Sequence, residues 1–473
     1  MQDYKIYIAG KWKTSSEKMQ VTNPYNNERV GITYQASSDD IEEAILSATS
    51  AFSAMRTLPA FKRSEALSAI SNGLKDRKDE IARMITLESG KPITDAKTEV
   101  NRAIYTFQIA SEEAKRINGE VIPLDIMAGS EERLGLTRRV PIGPIVGIAP
   151  FNFPLNLVAH KIAPAIAAGN PIILKPAPKT PLTALLLAEI IESAGLPEGA
   201  VQIFPTTNAL TEKLVRDERI KMLTFTGSAA VGWMLKEKLP KKRVLLELGG
   251  NAGVIIHSDS DLDYAAARCV TGGFAYAGQV CISVQRIYVQ EDCYATFLER
   301  FLPQVAKLQI GDPMDEKTNM SSMISLNEAK RAETWITEAV ASGAKILAGG
   351  KRLDNLITPT VLTNVTSKMK VSCDEIFAPV VTVTPYQEIR EAINALNQSP
   401  YGLQAGIFTK DIKRIFQAFD QIEVGGLIVN DVPTYRVDHM PYGGIKESGV
   451  GREGIRYAIE EMTELKFLAL NLK

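Results

Sequence analysis

An alternation of short apolar runs and amphipathic segments between residues 140 and 249 constrains the fold of this chain most strongly. The apolar runs at 144–149 and 171–174 are bounded by Gly or Pro, as buried strands are. The alternation continues through predicted strands at 200–204, 221–225 and 243–248 and predicted helices at 211–216 and 229–238. A series of βαβ units favours a parallel sheet with helices on both faces, which binds ligands at the carboxyl ends of its strands.

Helix signals lie within and before this region. Thr180 is predicted to cap a helix that has Pro181 at its first position and Gly195 just past its end. Residues 40–118 are predicted to form amphipathic helices, because apolar side chains recur among charges at helical spacing, as Ile70, Leu74, Ile81 and Ile85 do. We expect these earlier helices to supply packing rather than chemistry.

The chain is long enough for more than one domain. With 473 residues and 45% hydrophobic content it can bury large cores, and its length suggests two or three domains. A second α/β pattern runs from residue 252 to about 430, so we place a domain boundary near Gly249 and Gly250.

Charge and hydropathy exclude several classes of partner. The formal net charge is −1, with 54 basic residues against 55 acidic ones, so no global field recruits nucleic acid or an anionic membrane. The start of the chain lacks an apolar core of signal-peptide length, and the most apolar run, 184–191, contains Glu189 and is too short to span a bilayer. We therefore expect a soluble, cytoplasmic protein.

The cysteines and histidines argue against a disulfide framework and a metal centre. The cysteines form no CxxC pair and are few for this length, which indicates reduced thiols: Cys269, Cys281, Cys293 and Cys373. The histidines form no metal-binding cluster, so we expect no catalytic metal: His160, His257 and His439. We expect His160 to be a hydrogen-bonded core residue.

Cys281 and Glu247 are the candidate chemical pair. Cys281 closes the stretch Gly278-Gln279-Val280-Cys281, and Glu247 lies upstream in Leu246-Glu247-Leu248-Gly249-Gly250. A thiol can attack an electrophile, and a separate carboxylate can activate water to release what the thiol has captured. A free cysteine is more often a small buried hydrophobe, and we assign the other three cysteines to structure.

Four further motifs surround this pair in an order and spacing that resemble the NAD(P)-dependent aldehyde dehydrogenases. They are Phe151-Asn152-Phe153-Pro154, Lys175-Pro176-Ala177-Pro178, Phe225-Thr226-Gly227-Ser228 and Glu375-Ile376-Phe377-Ala378-Pro379. The resemblance covers almost the whole chain. It implies an α/β fold with three parts: a Rossmann-like NAD(P)-binding domain (1–118 and 140–249), a second α/β catalytic domain (250–448) and a small β oligomerisation element (119–139 and 460–473).

The resemblance also implies the reaction. Cys281 attacks an aldehyde, Asn152 and the backbone N–H of Cys281 hold the oxyanion, and Glu247 deprotonates the water that hydrolyses the thioester. Acylating relatives, which transfer the acyl group to coenzyme A, generally lack this glutamate, so a free acid is the expected product. A catalytically retired binding or structural protein on the same fold is the alternative of another class; it would be expected to lack at least one of the chemical residues.

The cofactor is expected to be NADP or NAD, although the usual GxGxxG fingerprint is absent. Gly227, Ser228 and Gly232 lie at a predicted strand-to-helix junction, where free N–H groups favour the pyrophosphate. The resemblance assigns Lys175 to ribose hydroxyls and Glu375, with Phe377 beside it, to the nicotinamide ribose. Many NAD-preferring relatives have Glu where this chain has Pro178; since Lys179 follows, NADP should be tolerated and is a candidate for preference.

The substrate is the least determined feature. Phe151 and Phe153 are expected to form an apolar wall beside the reacting carbon. Tyr435, Arg436 and His439 lie in a loop that borders the substrate mouth in relatives and could recognise an anion or a hydroxyl; alternatively, Arg436 pairs with Asp438 or another acid and only shapes the loop.

A small hydroxyaldehyde such as lactaldehyde or glycolaldehyde is the first expectation for the substrate, because the chain most resembles the lactaldehyde-dehydrogenase-like branch. Sulfolactaldehyde, succinate semialdehyde and non-phosphorylating glyceraldehyde-3-phosphate oxidation stay open. Val280 argues against phosphorylated or phosphonylated aldehydes, because several relatives that oxidise them have arginine before the catalytic cysteine.

The C-terminal residues 465–472 alternate as a strand does, and an isolated terminal strand would expose a pairing edge. In the resembled family this tail and a hairpin near residues 119–139 join a neighbouring subunit. We therefore expect a homodimer or homotetramer, in preference to a tail strand that pairs within its own chain.

Overall fold

The computed structural model describes residues 3–473. Its first part consists of short strands followed by amphipathic helices: β1 (Ile6–Ile8), β2 (Lys11–Lys13), β3 (Lys18–Thr22), β4 (Arg29–Tyr34), α1 (Ser38–Met55), α2 (Ala60–Asp76), α3 (Lys78–Ser89) and α4 (Ile93–Glu113). The apolar stripe predicted from residue spacing faces the core, because Ile70, Leu74, Ile81 and Ile85 are all buried.

The middle part alternates strands and helices as the sequence predicts. Its elements are β5 (Val121–Pro123), β6 (Arg133–Pro141), β7 (Ile145–Ile148), α5 (Asn156–Ala168), β8 (Ile172–Lys175), α6 (Leu182–Glu192), β9 (Val201–Ile203), α7 (Asn208–Arg216), β10 (Met222–Thr226), α8 (Ala229–Glu237) and β11 (Arg243–Glu247).

The last part repeats an α/β pattern and ends in a long strand. Its elements are β12 (Ala252–Ile256), α9 (Leu262–Phe274), a 3₁₀ turn (Ala275–Gly278), β13 (Val284–Gln290), α10 (Glu291–Ala306), α11 (Leu326–Ala341), β14 (Lys345–Ala348), β15 (Arg352–Leu353), β16 (Leu356–Ile357), β17 (Thr360–Thr363), α12 (Lys370–Cys373), β18 (Val380–Tyr386), α13 (Ile389–Asn397), β19 (Tyr401–Gly402), β20 (Gln404–Phe408), α14 (Ile412–Gln421), β21 (Gly426–Val429), β22 (Ile445–Lys446), β23 (Gly449–Val450), α15 (Ile455–Glu461) and β24 (Thr463–Asn471).

The strands form two large sheets that follow one another along the chain. The first has the order β2-β1-β9-β8-β7-β10-β11-β23, and the second has the order β14-β17-β18-β13-β12-β20-β21. In the first sheet β7 to β11 run parallel, and their apolar side chains are buried under helices such as α5 and α6. The predicted α/β fold class is confirmed.

The start of α6 differs from the prediction. The helix begins at Leu182, with Pro181 at the cap position, and the side chain of Thr180 does not cap it. Instead, the buried carboxylate of Glu88 from α3 accepts hydrogen bonds from the backbone N–H groups of Leu182 (2.8 Å) and Thr183 (3.0 Å). A carboxylate at a helix N-terminus satisfies orphan donors and matches the helix dipole, so a capping side chain from the helix's own flank is not needed.

The expectation that the tail strand does not pair within its own chain is wrong. β24 pairs antiparallel with β6 along its whole length, and β6 pairs with β5, in a sheet of order β24-β6-β5. β24 therefore has one paired edge, while several of its apolar side chains, including Leu465, Phe467 and Leu468, remain exposed.

None of the helices in residues 3–473 combines the length and the apolar character needed to cross a membrane.

Candidate active site

The predicted site residues lie at the carboxyl ends of neighbouring parallel strands of the first sheet. Asn152 follows β7, Gly227 follows β10, and Glu247 ends β11. Asn152, Gly227 and Leu248, the residue after Glu247, line a cavity of about 430 Å³ that the second part of the chain completes with Cys281 and Glu375, whereas Glu247 itself does not line it. An open α/β sheet places ligand sites at this edge, so the location agrees with the fold.

The turn before Cys281 has an unusual backbone. Tyr276, Ala277 and Gly278 all have positive φ angles, of 47°, 53° and 68°. A Cβ on Gly278 would lie 2.2 Å from the carbonyl oxygen of Ala378, so only glycine fits at this close approach. The glycine of the Gly-Gln-Val-Cys stretch thus lets the chain turn against the 375–379 segment and brings Cys281 to the cavity.

Asn152 contacts the loop that carries Cys281. Its side-chain amide donates a hydrogen bond to the carbonyl oxygen of Gln279 at 2.9 Å. Gln279 is itself held, because its side-chain oxygen accepts from the N–H of Ile324 at 2.9 Å. An amide NH₂ has two donors, so the second one remains available for an oxygen in the cavity.

Glu247 is a buried carboxylic acid that is 2% exposed. Within residues 3–473 neither of its carboxyl oxygens has a hydrogen-bond partner. Burial, followed by the neighbouring carboxylate of Glu453, raises the pKa of Glu247 well above its usual range. A Cβ on Gly250, three residues on, would lie 2.1 Å from the carbonyl oxygen of Cys281, so the loop after Glu247 packs directly against the cysteine backbone.

A buried charged cluster adjoins Glu247. Lys161 from α5 donates to the hydroxyl of Thr226 at 2.7 Å and lies 3.4 Å from Glu453, and Arg436 lies 3.2 Å from the other carboxylate oxygen of Glu453. Burial opposes ionisation of Glu453, but the surrounding positive groups outweigh it and lower its pKa. Glu453 is thus held ionised while Glu247 beside it tends to be neutral.

These contacts agree with the second alternative for Arg436, in which it pairs with Asp438 or another acid. Arg436 pairs with Glu453 and not with Asp438, whose carboxylate binds Arg102 (2.7 Å) and His160 (2.8 Å). His160 is therefore a hydrogen-bonded core residue, as expected. The guanidinium carbon of Arg436 lies 3.6 Å from the ring centroid of Tyr442, and the Tyr442 hydroxyl lies 3.0 Å from the Cys281 sulfur.

The other two loop residues predicted to recognise substrate, Tyr435 and His439, are exposed. Neither lines the cavity that contains Cys281. The two aromatic residues around Asn152 also separate. Phe151 lines the cavity and packs edge-on against Phe377, whereas the ring of Phe153 lies under the ammonium group of Lys91 at 3.8 Å.

The predicted pyrophosphate loop is only partly as expected. The N–H of Gly227 is not free, because it donates to the carbonyl oxygen of Glu247 at 3.1 Å. Gly232 does not line the cavity; a Cβ there would lie 2.3 Å from the Leu248 side chain, so this glycine lets α8 pack closely on the strand end. Thr226, Gly227 and Ser228 do line the cavity, and the N–H groups in the first turn of α8 are those available for an anion.

The segment after β8, at the carboxyl edge of the first sheet, carries Lys175, Pro178 and Lys179. Lys175 ends β8 and is buried, and burial lowers the pKa of its ammonium group. Pro178 and Lys179 are exposed, and Lys179 lines the cavity.

Glu375 reaches across the cavity from the segment before β18. One carboxylate oxygen accepts from the N–H of Gly250 at 2.8 Å, and burial raises the pKa of Glu375 to about 7. A Cβ on Gly249 would lie 2.4 Å from its other oxygen, so the Gly-Gly pair after β11 makes room for this side chain. The carboxylate of Glu375, the N–H groups of the first turn of α8 and the ring of Phe377 are groups that a ribose, a phosphate and a nicotinamide can contact.

Glu99 of α4 anchors the loop between β7 and α5, which carries Asn152. One Glu99 carboxylate oxygen accepts from the N–H groups of Leu155 (2.9 Å) and Asn156 (3.1 Å), at the start of α5. The other oxygen pairs with the ammonium group of Lys91, and both side chains are fully buried. Glu99 thus fixes the chain three residues after Asn152.

Replacement of Glu99 by Ala is expected to destabilise the protein strongly. The change leaves the buried Lys91 ammonium group without its carboxylate partner and two buried backbone donors without an acceptor, which costs about 3–5 kcal/mol. Urea unfolding should show a lower midpoint. Glu316→Ala is the matched control, because Glu316 pairs with Lys97 of the same helix at the exposed surface and its loss should cost about 1 kcal/mol or less. Equal midpoints for the two variants would contradict the anchoring role.

Four residues near the site were not singled out as functional from the sequence: Arg102, Lys161, Tyr442 and Glu453. Lys161 offered a usable signal, because a lone lysine in the apolar helix α5 must find a buried acid. Arg102, Tyr442 and Glu453 offered none, since nothing in their local pattern distinguishes them from ordinary packing or surface residues.

Residues 3–473 contain no group of three or more His, Cys, Asp and Glu side chains arranged to hold a metal ion.

Comparisons with known proteins extend these observations. The model of the aldehyde dehydrogenase family matches residues 12–468. The chain is 47% identical to a 3-sulfolactaldehyde dehydrogenase of Priestia megaterium over 473 residues, which cover 100% of this chain and 99% of that protein. It is 40% identical to a lactaldehyde dehydrogenase of Methanococcus aeolicus, with coverage of 99% and 100%.

A solved structure is similar over the whole length. It is aldehyde dehydrogenase 21 from Physcomitrella patens in complex with the reaction product succinate, with a TM-score of 0.98, 46% sequence identity and coverage of 100% of this chain and 98% of that one.

Proposed function

The chain belongs to the aldehyde dehydrogenase family, and from this premise we propose that it oxidises a small hydroxyaldehyde to the free carboxylic acid. It is an enzyme that oxidises an aldehyde with NAD or NADP. One observation carries the proposal for the reaction: Cys281 and the free amide donor of Asn152 line one cavity, and the buried, unpartnered carboxylic acid of Glu247 lies one residue before the lining residue Leu248.

Cys281 captures the aldehyde. Its thiolate attacks the carbonyl carbon, and the carbonyl electron pair moves onto the oxygen. The second amide proton of Asn152 and the backbone N–H of Cys281 stabilise this oxyanion. The contact of Asn152 with Gln279 keeps the amide in place relative to the cysteine, which lowers the entropy cost of reaching the reactive geometry.

The residues proposed to hold the cofactor are Thr226, Ser228 and the first turn of α8 for the phosphates, and Lys175, Glu375 and Phe377 for the ribose and nicotinamide; of these side chains, that of Lys175 is buried and does not line the cavity. When bound, the nicotinamide supplies the hydride acceptor. Glu375 is already oriented by Gly250, so it requires little ordering to accept a ribose hydroxyl.

Glu247 releases the product. Its ionised form removes a proton from water, and the resulting hydroxide attacks the thioester carbon, frees the Cys281 sulfur and yields the acid. The raised pKa makes Glu247 a stronger base than an ordinary glutamate. Lys161 and Glu453 lie beside Glu247. Their ion pair, and the hydrogen bond from Lys161 to Thr226, do not involve Glu247 and so persist when Glu247 gains or loses its proton.

The relatives support a small hydroxyaldehyde as the substrate. Lactaldehyde is the substrate in the name of a relative at 40% identity, and 3-sulfolactaldehyde, a sulfonated hydroxyaldehyde, is the substrate in the name of a relative at 47% identity. The charges nearest the nucleophile do not select between these two, because Arg436 beside Cys281 is opposed by Glu375 and Glu247.

A panel of aldehydes tests the proposal. Purified protein is mixed with NAD or NADP and with lactaldehyde, glycolaldehyde, 3-sulfolactaldehyde, succinate semialdehyde or glyceraldehyde 3-phosphate, and the reduced nicotinamide is followed by absorbance. The highest kcat/KM should belong to a hydroxyaldehyde without phosphate. A highest value for succinate semialdehyde would favour the second candidate, which is supported by the succinate complex of a similar structure. Cofactor binding without turnover of any aldehyde would contradict the proposal.

Pro178→Glu is expected to shift the cofactor preference from NADP towards NAD. A carboxylate at this exposed position repels a 2′-phosphate, which should raise the KM for NADP about tenfold or more and leave the KM for NAD equal or lower. Pro178→Gln is the matched control, since the glutamine side chain has the same shape as glutamate and carries no charge. Equal NADP values for the two variants would exclude a phosphate near residue 178.

We also propose a homodimer or homotetramer in a reducing compartment such as the cytoplasm. The unpaired edge of β24 and its exposed Leu465, Phe467 and Leu468 support association. The four cysteines are free, as is usual where thiols are kept reduced.

A further inference from the structure

Tyr442 is a buried phenol whose hydroxyl contacts the nucleophile. The residue is 2% exposed and its oxygen lies 3.0 Å from the Cys281 sulfur. Among residues 3–473 this sulfur is the one hydrogen-bond partner of the phenol. A buried tyrosine hydroxyl normally finds a partner, so the thiol is what satisfies it.

The main chain fixes the position of this phenol. The N–H of Tyr442 donates to the carbonyl oxygen of Glu453 at 3.0 Å, and the N–H of Glu453 donates back at 2.6 Å. The ring packs in a small apolar cluster with Ile282 and Leu403. Glu453, which pairs with Arg436, therefore also holds the backbone that carries the phenol.

The ring of Tyr442 lies beneath a cation. The guanidinium of Arg436 is 3.6 Å from the ring centroid, which is a close cation–π contact in a site removed from water. A positive charge over the ring opposes the rise in the phenol pKa that burial causes, and so makes its O–H a better donor. This links the loop arginine to the sulfur without direct contact between them.

We propose that Tyr442 is a further catalytic residue, which donates a hydrogen bond to the Cys281 thiolate and holds the sulfur towards the substrate. The inference rests on the proposed role of Cys281 as the nucleophile. It concerns a residue of the loop 441–444 that the reaction as described above does not use.

The hydrogen bond acts before and during the attack. The thiol proton first leaves to solvent, and Tyr442 keeps its own proton, because burial raises the pKa of the phenol well above its ordinary value. When the S–C bond forms, the sulfur loses its negative charge and the carbonyl pair moves to oxygen. The phenol then donates to a neutral sulfur, so the bond is strongest in the thiolate and weakens in the adduct.

The surroundings of the thiol explain why such a donor matters. Burial raises the pKa of Cys281 to about 11, and the Tyr442 hydrogen bond and the Arg436 charge act against this rise, while Glu375 and Glu247 add to it. Below the thiol pKa, the thiolate fraction falls tenfold for each unit. Loss of the phenol hydroxyl therefore lowers the thiolate fraction at neutral pH.

The test is the pH dependence of Cys281 alkylation in the Tyr442→Phe protein. Iodoacetamide is added to the full-length protein without cofactor, and the modified Cys281 peptide is quantified by mass spectrometry over a range of pH. We expect the rate at a given pH to fall about tenfold, with the whole profile displaced by about one unit towards higher pH. Tyr386→Phe is the matched control, since its buried hydroxyl donates to the Ile256 carbonyl away from the site and its profile should match the wild type.

The outcomes separate this inference from the proposed function. The profile is followed to high enough pH to reach its midpoint. An unchanged profile, or one whose high-pH plateau falls while its midpoint stays in place, would overturn the catalytic role of Tyr442, because loss of a merely structural residue does not move the midpoint along the pH axis. If Cys281→Ala kept full turnover, the proposed function itself would fail, and alkylation would no longer report on the nucleophile. A displaced profile with a wild-type control supports the hydrogen bond.

Discussion

Replacing Cys281 by Ala is expected to abolish aldehyde oxidation, with kcat/KM lower by at least about 10⁴-fold. Without the thiolate no tetrahedral adduct forms, and hydride, which is the only group that an aldehyde carbon can expel in this oxidation, departs only from such an adduct. The effect should be on catalysis alone. Cys281 is half-buried beside the cavity, and its backbone contacts with Gly250 do not require the sulfur.

Two measurements define this result. Reduced nicotinamide formation gives the loss of turnover, and cofactor fluorescence or calorimetric titration should give an unchanged dissociation constant. Cys293→Ala is the control, because Cys293 is a buried thiol of α10 outside the site. Retained turnover in Cys281→Ala, or an equal loss in Cys293→Ala, would contradict the assignment.

Glu247→Gln is expected to stop the reaction after the first half. The amide cannot deprotonate water, so thioester hydrolysis should slow by about 10²–10⁴-fold while capture of the aldehyde continues. Rapid mixing with cofactor and aldehyde should give a burst of reduced nicotinamide close to one per active site, followed by very slow turnover. Slow turnover without a burst would place Glu247 in the first step instead of the second.

The wild-type deacylation rate should depend on pH in a way that follows from the burial of Glu247. A base must be ionised to act, and the raised pKa means that ionisation is lost as pH falls through that raised value. Deacylation should therefore decline at clearly higher pH than an ordinary glutamate, with a pKa of about 4.3, would allow. A single-turnover rate that stays flat down to that ordinary value would show that Glu247 is not the titrating base.

Local sequence patterns were sufficient to predict those features whose structure depends on a short stretch of chain alone. The strands that end at Lys175, Thr226 and Glu247 were predictable because apolar runs bounded by turn residues form buried strands. The Gly278 turn was part of a recognisable motif, and the structure adds its reason, which is the close approach to Ala378.

Tertiary contacts explain what the sequence could not indicate. Glu88 caps α6 from a different helix, so no signal next to Thr180 could reveal it. The tail strand was recognised as a strand, but its partner β6 is far away in the chain. The contact between Tyr442 and Cys281 depends on two loops from distant parts of the chain, each of which looks unremarkable by itself.

The most direct test of the account is to trap the covalent intermediate. Glu247→Gln protein is mixed with NADP and the best aldehyde of the panel, quenched with acid and digested, and the peptides are weighed by mass spectrometry. The peptide with Cys281 should gain the mass of the acyl group, in the same amount as the nicotinamide reduced in the burst. Reduced nicotinamide without any acyl group on Cys281, or with the group on another residue, would contradict it.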